Sequence, residues 1–536
     1  MTHDQSASHR NDRVPADLSR RAVLAGAMSM GMLPAAIAAT ARRPRRVADD
    51  DDVVDVLIVG AGVSGCYAAW RLAQESPGSR IEVHERGTRI GGRLWSVKPT
   101  GMTRQVAELG GMRIANNQTP LLNLVSALGL TVDPYPATTP KDLYYLRGIR
   151  TRGAKLVAGP EFGYRVREDL RGKTLHELFR FVLKTATGQE TWARHEMRQA
   201  VASVRYRGRL LHDTPYEWLF NDILGHEGAA MLLAGMGYGR PNTNAGVFMK
   251  EAMLDLFVHG YSHVRGGYQQ VPLGLADRAR QQGVDIHFGR EMIDLRFEGD
   301  LTVVTFRTSD GETLIRKAKK VVTSLPMSAY QYLPDDCPLR GPNGLTAMES
   351  EMLPVPATKI YVNFPNQWWN GMGIKSGRSI TDIPIRQVFY LDDPSGRGLS
   401  LSPYAAGVHD SDFWSPLLPT TGHRADGDSL AAVTIRRQLA QMHGIEIPKP
   451  SEILYRDFQG GHVGHGWNMW RPGVEPWKIT PAARQPIPGR DLYCVGQATS
   501  EIQGWVMNTI ASTESVLRSH FDLERPTWWP ASYGVS

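Results

Sequence analysis

The stretch VVDVLIVGAGVSGCYAAWRLAQESPGSRIEVHERG, residues 53–87, admits few backbone solutions. Its apolar run Val56–Val59 has the character of a strand buried on both faces. Gly60, Gly62 and Gly65 follow as G-x-G-x-x-G, and CYAAWRLAQE then carries apolar residues at helical spacing. A second apolar strand, RIEVHE, ends on Glu85, 20 residues past Gly65. Strand, glycine turn, helix, strand and terminal acid at these intervals describe a βαβ unit that binds a dinucleotide. The glycines bring a helix N-terminus against a pyrophosphate, and Glu85 accepts hydrogen bonds from ribose hydroxyls. Cys66 and His84, inside the unit, read as packing residues.

Further glycine motifs face the same ligand. RGTRIGGRLWS contains Gly91, Gly92 and Arg93 directly after the ribose acid, and AELGGMRI contains Gly110 and Gly111. Paired glycines mark backbone with no room for a side chain, often because a ligand lies against it. Arg113 follows that second pair closely, and its planar fork of donors suits a carboxylate. Near the other end, RDLYCVGQATSEIQGWVMNTIASTESVLRSH reads as an apolar strand, a glycine turn and a helix whose N-terminus points back at the cofactor.

The intervening chain divides by pattern. Residues 1–48 form a leader and linker, and 49–125 the first part of the dinucleotide domain. Residues 126–235 form a helix-rich insertion with stretches such as TLHELFRFVLK, and 236–325 return to the dinucleotide domain. In that return, LTVVTFRTSDGETLIRKAKKVVTSLP alternates as strands about an Asp310-Gly311 hairpin signal. Its basic residues at 316–320 read as a solvated strand edge. Residues 326–460, rich in strand formers and prolines, form a substrate-facing domain, and 461–536 close the dinucleotide domain.

The formal charge of +7 carries little functional weight, because residues 1–46 hold eight Arg against three Asp. The body is nearly neutral, and the densest basic run, RRPRR at 42–46, lies in the leader, which argues against a nucleic-acid partner. The leader has a charged segment ending in SRRAVL, then an apolar stretch from Ala22 to Ala39. Arg20 and Arg21 in that setting predict a twin-arginine export signal, and so the twin-arginine machinery as a partner and a periplasmic or secreted destination. Gly26, Gly31 and Pro34 interrupt the apolar stretch, so no stable membrane anchor is expected. Cys66, Cys337 and Cys494 are odd in number and widely spaced, which gives neither a disulfide framework nor a metal site.

Six stretches in order, VGAGVSG, RIGGR, ELGGMRI, PATKIYVNF, KSGRSITDIPIRQVFY and VGQATSEIQGW, resemble the flavin-containing amine oxidase superfamily, and within it the L-amino-acid oxidases. The resemblance implies an α/β fold: an FAD-binding Rossmann-like domain of the glutathione-reductase type, a mixed-sheet substrate domain and a helical insertion. It implies FAD contacts from Gly60, Gly62, Gly65, Glu85, Arg86, Gly92, Arg93, Gly110, Gly111, Met112, Arg113, Met292, Gly496, Gln497, Gly504, Trp505 and Val506. Arg113 matches the arginine that holds a substrate carboxylate, and Tyr404 the tyrosine that places a hydroxyl on it. Gly504 and Trp505 match the pair at the flavin face, where a backbone carbonyl receives the amine. Lys359 matches the lysine that holds a water near flavin N5.

The implied reaction converts an L-amino acid and O2 to a 2-oxo acid, ammonia and hydrogen peroxide. An amino-acid 2-monooxygenase and an amine or polyamine oxidase remain as alternatives, and the resemblance allows a homodimer. The chain departs from the pattern at Gln497, where the family often has Glu, and at Gln503, where snake-type oxidases have His. GHVGHGWNMW, the counterpart of a flavin-attaching stretch in some relatives, lacks cysteine, so non-covalent FAD is expected.

Overall fold

The computed structural model describes Arg46–Val47 and residues 53–534, apart from 137, 154, 191, 193–195, 240, 257–259 and 342–344. The export signal expected at Arg20 and Arg21 lies outside the described residues.

Two large sheets carry the chain. The first runs in the order Asp285–His287, Ile81–His84, Val53–Val59, Thr313–Thr323, Leu301–Thr308, Arg290–Glu298. Its first four strands are parallel and the last two form antiparallel hairpins. Thr313–Thr323 is long enough to serve two partners on one side. Leu301–Thr308 pairs with its first half, and beyond Ala318 the strand Leu492–Cys494 runs parallel to its end. The hairpin turns at Gly311, with φ +86, as the Asp-Gly signal requires.

The expected solvated edge at 316–320 is corrected. This strand is central, and each basic side chain finds an acid: Arg316 pairs with Glu82, Lys317 with Glu298, Lys319 with Asp55 and Lys320 with Asp491. Ion pairing lets a charged run lie across the middle of a sheet.

Helix Val63–Glu75 packs on this sheet and against helices Gln270–Gln281 and Val506–His520. A Cβ on Gly65 would lie 1.9 Å from the Gly60 carbonyl oxygen, so the third glycine serves close packing of helix on turn.

The second sheet runs Arg424–Asp426, Glu452–Gly460, Ala357–Phe364, Gly398–Ala406, Gln387–Asp392, Gly377–Thr381, Leu143–Leu146, Ile149–Arg152. Every residue of Ala357–Phe364 is buried, Lys359 included. A bulge between Lys359 and Tyr361 leaves Lys359 opposite Tyr404 on the neighbouring strand. The hairpin 143–152, drawn from a stretch that reads as helix-rich, joins the sheet through a parallel pairing of Ile380 with Tyr144. Its partner layer includes helix Tyr216–Met236, which ends at Gly237 in the left-handed region.

Candidate active site

A cavity of about 500 Å³ runs from the glycine turns of the first sheet to the strands of the second. Two helix N-termini open onto it. Val63–Glu75 begins at Gly62 and Val506–His520 at Trp505, and neither has a side-chain cap, so free backbone N–H groups and positive dipole ends face the space. Nothing lies within 4 Å of a Cβ on Gly62, which confirms that the turn borders open volume.

Glu85 sits where the ribose acid is expected. Its carboxylate accepts the N–H of Ala61 at 2.9 Å and of Gly87 at 2.7 Å, which fixes it while leaving lone pairs toward the cavity. Arg86, Arg89, Arg93, Arg290 and Arg456 also line the space. Arg93 donates only to neutral groups, the carbonyls of His465 and Gly466 and Oε1 of Gln497, and burial brings its pKa down to about 10. Burial, with Arg456 adding to it, also brings Arg89 to about 10. A set of guanidiniums with so few acids among them fits a dinucleotide's diphosphate. Cationic side chains, uncapped helices and the placed acid together fit the expected cofactor.

Glu82, His84 and His287 bring potential ligand atoms within 4.8 Å of one another beside this cavity. Arg80 and Arg316 pair with Glu82, and Arg290 Nη1 stands 3.3 Å from His84 Nε2. These guanidiniums already supply the positive charge that a metal ion would bring.

Gly60, Gly92, Gly110, Gly111, Met292, Gly496 and Gln497 border the cavity. The tightness at the Gly110 pair comes from the chain itself: a Cβ on Gly110 would sit 1.8 Å from the Arg93 carbonyl oxygen, and one on Gly111 2.6 Å from Leu94. Gly65, Met112 and Arg113 are not among the residues that line the cavity. Met112 turns into the core, where its sulfur accepts from the Tyr135 hydroxyl at 3.4 Å.

At the second-sheet end of the cavity stand Lys359, Tyr404, Gly504, Trp505 and Val506. Lys359 donates to the Gly110 carbonyl at 2.6 Å, and its ammonium lies 4.9 Å from the centre of the Tyr404 ring. Burial holds the Lys359 pKa below the ordinary lysine value, and the same burial raises the carboxyl of Glu108. Glu108 is held by the Ser96 hydroxyl at 2.7 Å and the Tyr268 N–H at 2.6 Å. Gly504 has φ +96, a conformation that favours glycine, and its backbone is exposed to the cavity. The indole of Trp505 donates to Glu251 at 3.4 Å and lies parallel to Tyr261, with ring centres 6.2 Å apart.

Arg113 projects from the turn after Gly111 into an aromatic cage. It donates to the Tyr238 hydroxyl at 2.9 Å and lies over Tyr261 at 4.1 Å. The electron-rich faces and hydroxyls of Tyr238, Tyr261, Tyr135 and Tyr404 outweigh its desolvation and hold its pKa above the ordinary value. No carboxylate among the described residues pairs with it. Tyr238 stands edge-on to Tyr404 at 5.3 Å, so the two residues read as carboxylate anchors share one aromatic neighbour.

Glu108 beside Lys359, and Tyr238, Tyr261 and Arg378 around Arg113, are neighbours of the site that sequence reasoning did not single out; they do not line the cavity itself. Glu108 had a local signal, an acid between the apolar Ala107 and Leu109 just ahead of the glycine pair. The others come from separate elements and carry none.

Among curated proteins, the chain is 24% identical over 498 residues to an L-amino-acid oxidase of Sistrurus catenatus edwardsii, covering 90% of this chain and 89% of that one. It is 23% identical over 516 residues to Aplysianin-A of Aplysia kurodai, covering 88% and 91%. Among solved structures, a putrescine oxidase bound to putrescine matches with a TM-score of 0.66 at 18% identity, over 88% of this chain and 100% of that one. Cyclohexylamine oxidase from Brevibacterium oxydans matches at 0.63 and 18%, over 87% and 98%. The family profile described as flavin containing amine oxidoreductase spans residues 63–512, and the chain belongs to that family.

Proposed function

We propose that the protein is an FAD-dependent L-amino-acid oxidase, which converts an L-amino acid, O2 and water to a 2-oxo acid, ammonia and hydrogen peroxide. One observation carries this reading. Arg113 is held by tyrosines beside the cavity, with no carboxylate of the described chain to pair with it. A cation so placed selects a substrate that brings an anion.

FAD in the cavity would accept the hydride of the substrate Cα–H and pass the electrons to O2. The chain's own part is orientation. Arg113, with the hydroxyls of Tyr238 and Tyr404, binds the carboxylate, and the Gly504 carbonyl accepts a hydrogen bond from the amine. Trp505, with Tyr261 parallel to it, walls the cavity there and excludes water. Two anchors on neighbouring substituents fix Cα, and such orientation can supply up to about 7–11 kcal/mol of a barrier. Lys359, fixed on the Gly110 carbonyl, places a positive charge and a water donor where O2 reacts. Cys66, Cys337 and Cys494 are buried and none lines the cavity, which supports non-covalent FAD. The leader supports export by the twin-arginine route.

The fold neighbours favour a second reading, oxidation of an amine without a carboxylate. It leaves Arg113 without an anion. Peroxide release and 2-oxo acid formation from L-amino acids, set beside the corresponding decarboxylated amines, test the choice. Turnover of the amines alone overturns the oxidase reading, and an amide product in place of the 2-oxo acid reassigns it to a monooxygenase.

A further inference from the structure

Arg113 is not the only cation of the cage that lacks an acid. Arg378, on strand Gly377–Thr381, places its guanidinium carbon 5.8 Å from the Tyr238 ring centre and 5.7 Å from that of Phe389. Tyr238 therefore has one guanidinium at its hydroxyl and another at its ring. Arg378 donates from Nε to the Gln387 amide oxygen at 2.9 Å and from Nη2 to the Met236 carbonyl at 2.7 Å. Both acceptors are neutral.

No carboxylate among the described residues forms an ion pair with Arg378. Asp142 accepts the Arg378 backbone N–H at 3.1 Å and the Thr139 N–H on one oxygen, and it feels the Arg378 charge without a hydrogen bond to the guanidinium. Glu251 accepts from the Trp505 indole, and Glu108 is held by Ser96 and Tyr268. Both arginines retain accessible surface while lying deep in the fold. Two like charges beside one ring, away from bulk water, repel each other, and burial together with Arg113 holds the pKa of Arg378 below its ordinary value. One carboxylate relieves half of this arrangement.

We infer that Arg378 is a second anion site of the substrate pocket, and that the preferred substrates are L-amino acids whose side chain ends in a carboxylate, L-aspartate or L-glutamate. This rests on the oxidase reading above: Arg113 takes the α-carboxylate, and Arg378 the side-chain carboxylate through the donor that Gln387 and Met236 leave unused. A neutral side chain leaves Arg378 desolvated and unmatched, so the pocket discriminates against the amide of the same shape.

The test uses the flavin-loaded enzyme and compares L-glutamate with L-glutamine, L-aspartate with L-asparagine, and both pairs with L-leucine, L-lysine and the corresponding decarboxylated amines. Anaerobic flavin reduction and peroxide release are the readouts, and calorimetry with glutarate reports binding without turnover. An acid should exceed its amide in kcat/KM by about tenfold or more. Arg378→Gln should bring that ratio toward one, raising the acid's KM and weakening glutarate binding while the amide loses far less. Arg378→Lys, which keeps the charge, should restore part of the ratio. Equal losses for acid and amide in Arg378→Gln would make Arg378 a strut for Met236 and overturn the inference. A wild-type preference for L-glutamine, L-leucine or L-lysine overturns it too, with the oxidase reading intact. Flavin reduction by amines alone overturns both.

Discussion

Lys359 donates its 2.6 Å hydrogen bond to the carbonyl of Gly110, three residues before Arg113, and so ties the middle of the second sheet to the glycine pair that follows strand Ala107–Glu108. The bond holds a buried ammonium at the second-sheet end of the cavity. If its charge stabilises the negative charge that develops as oxygen is reduced, Lys359→Met will show near-normal anaerobic flavin reduction and slower reoxidation in stopped flow. Removing one such preorganised group costs up to about 2.7–4 kcal/mol, or a hundredfold to a thousandfold in rate. Slowed reduction with unchanged reoxidation would move Lys359 to the substrate side.

The same burial sets a pH dependence. The folded pKa of Lys359 lies below the ordinary 10.5, so its charge is present at low pH and is lost as pH rises through that lowered value. Reoxidation should therefore slow between neutrality and pH 10.5, and the slope should vanish in Lys359→Met. A wild-type rate that stays flat across this window would show that the ammonium does not act through its charge.

Arg113→Ala should select against carboxylate-bearing substrates. Removing one partner of a buried ion pair costs about 3–5 kcal/mol, hundreds-fold or more in kcat/KM. The decarboxylated amine should lose far less. Equal losses, accompanied by weaker FAD retention, would assign Arg113 to the cofactor.

Precipitation by acid or heat should release intact FAD into the supernatant, since no thiol reaches the cavity. Colour that stays with the polypeptide would reveal a covalent link to another side chain.

Asp393 offers a test of stability remote from the chemistry. Its carboxylate accepts from the N–H groups of Thr103, Arg104, Gln105 and Ser395 and from the Thr103 hydroxyl, so one side chain pins the loop before the Glu108 strand onto the second sheet. These bonds hold its pKa well below 3.8 against the opposing effect of burial. The stabilisation is thus complete above pH 3.8 and lost as pH falls toward the folded pKa. Asp393→Asn should lower stability by about 2–3 kcal/mol at neutral pH, since bonds to charged groups contribute about 1.5–3 kcal/mol each. It should also flatten the acid limb of the melting curve. Thermal unfolding from pH 7 down to about pH 2 measures both, and an unchanged midpoint at neutral pH would refute the role.

The dinucleotide unit was legible because its determinants are local: Val53–Val59, the glycine turn and Ile81–His84 stand within 32 residues and each element carries its own pattern. Arg113 was legible for the same reason, through its neighbours. Tyr238, Tyr261 and Arg378 were not, because the cage exists only where a helix C-terminus, a short strand and an inner strand of the second sheet meet. Charge patterning misled at 316–320, where the compensating acids lie on four other segments. The hairpin Leu143–Arg152 left a fainter trace, its Arg147-Gly148 turn with φ +50 and +78, a geometry suited to a two-residue hairpin.

Strand Leu492–Cys494 takes the place along Thr313–Thr323 that the hairpin vacates, and the chain then supplies the second helix N-terminus of the cavity. The cofactor cradle is thus assembled from both ends of the described chain, and a nascent polypeptide has no complete cradle until its last segments emerge. Flavin capture becomes a late event that reports a finished polypeptide.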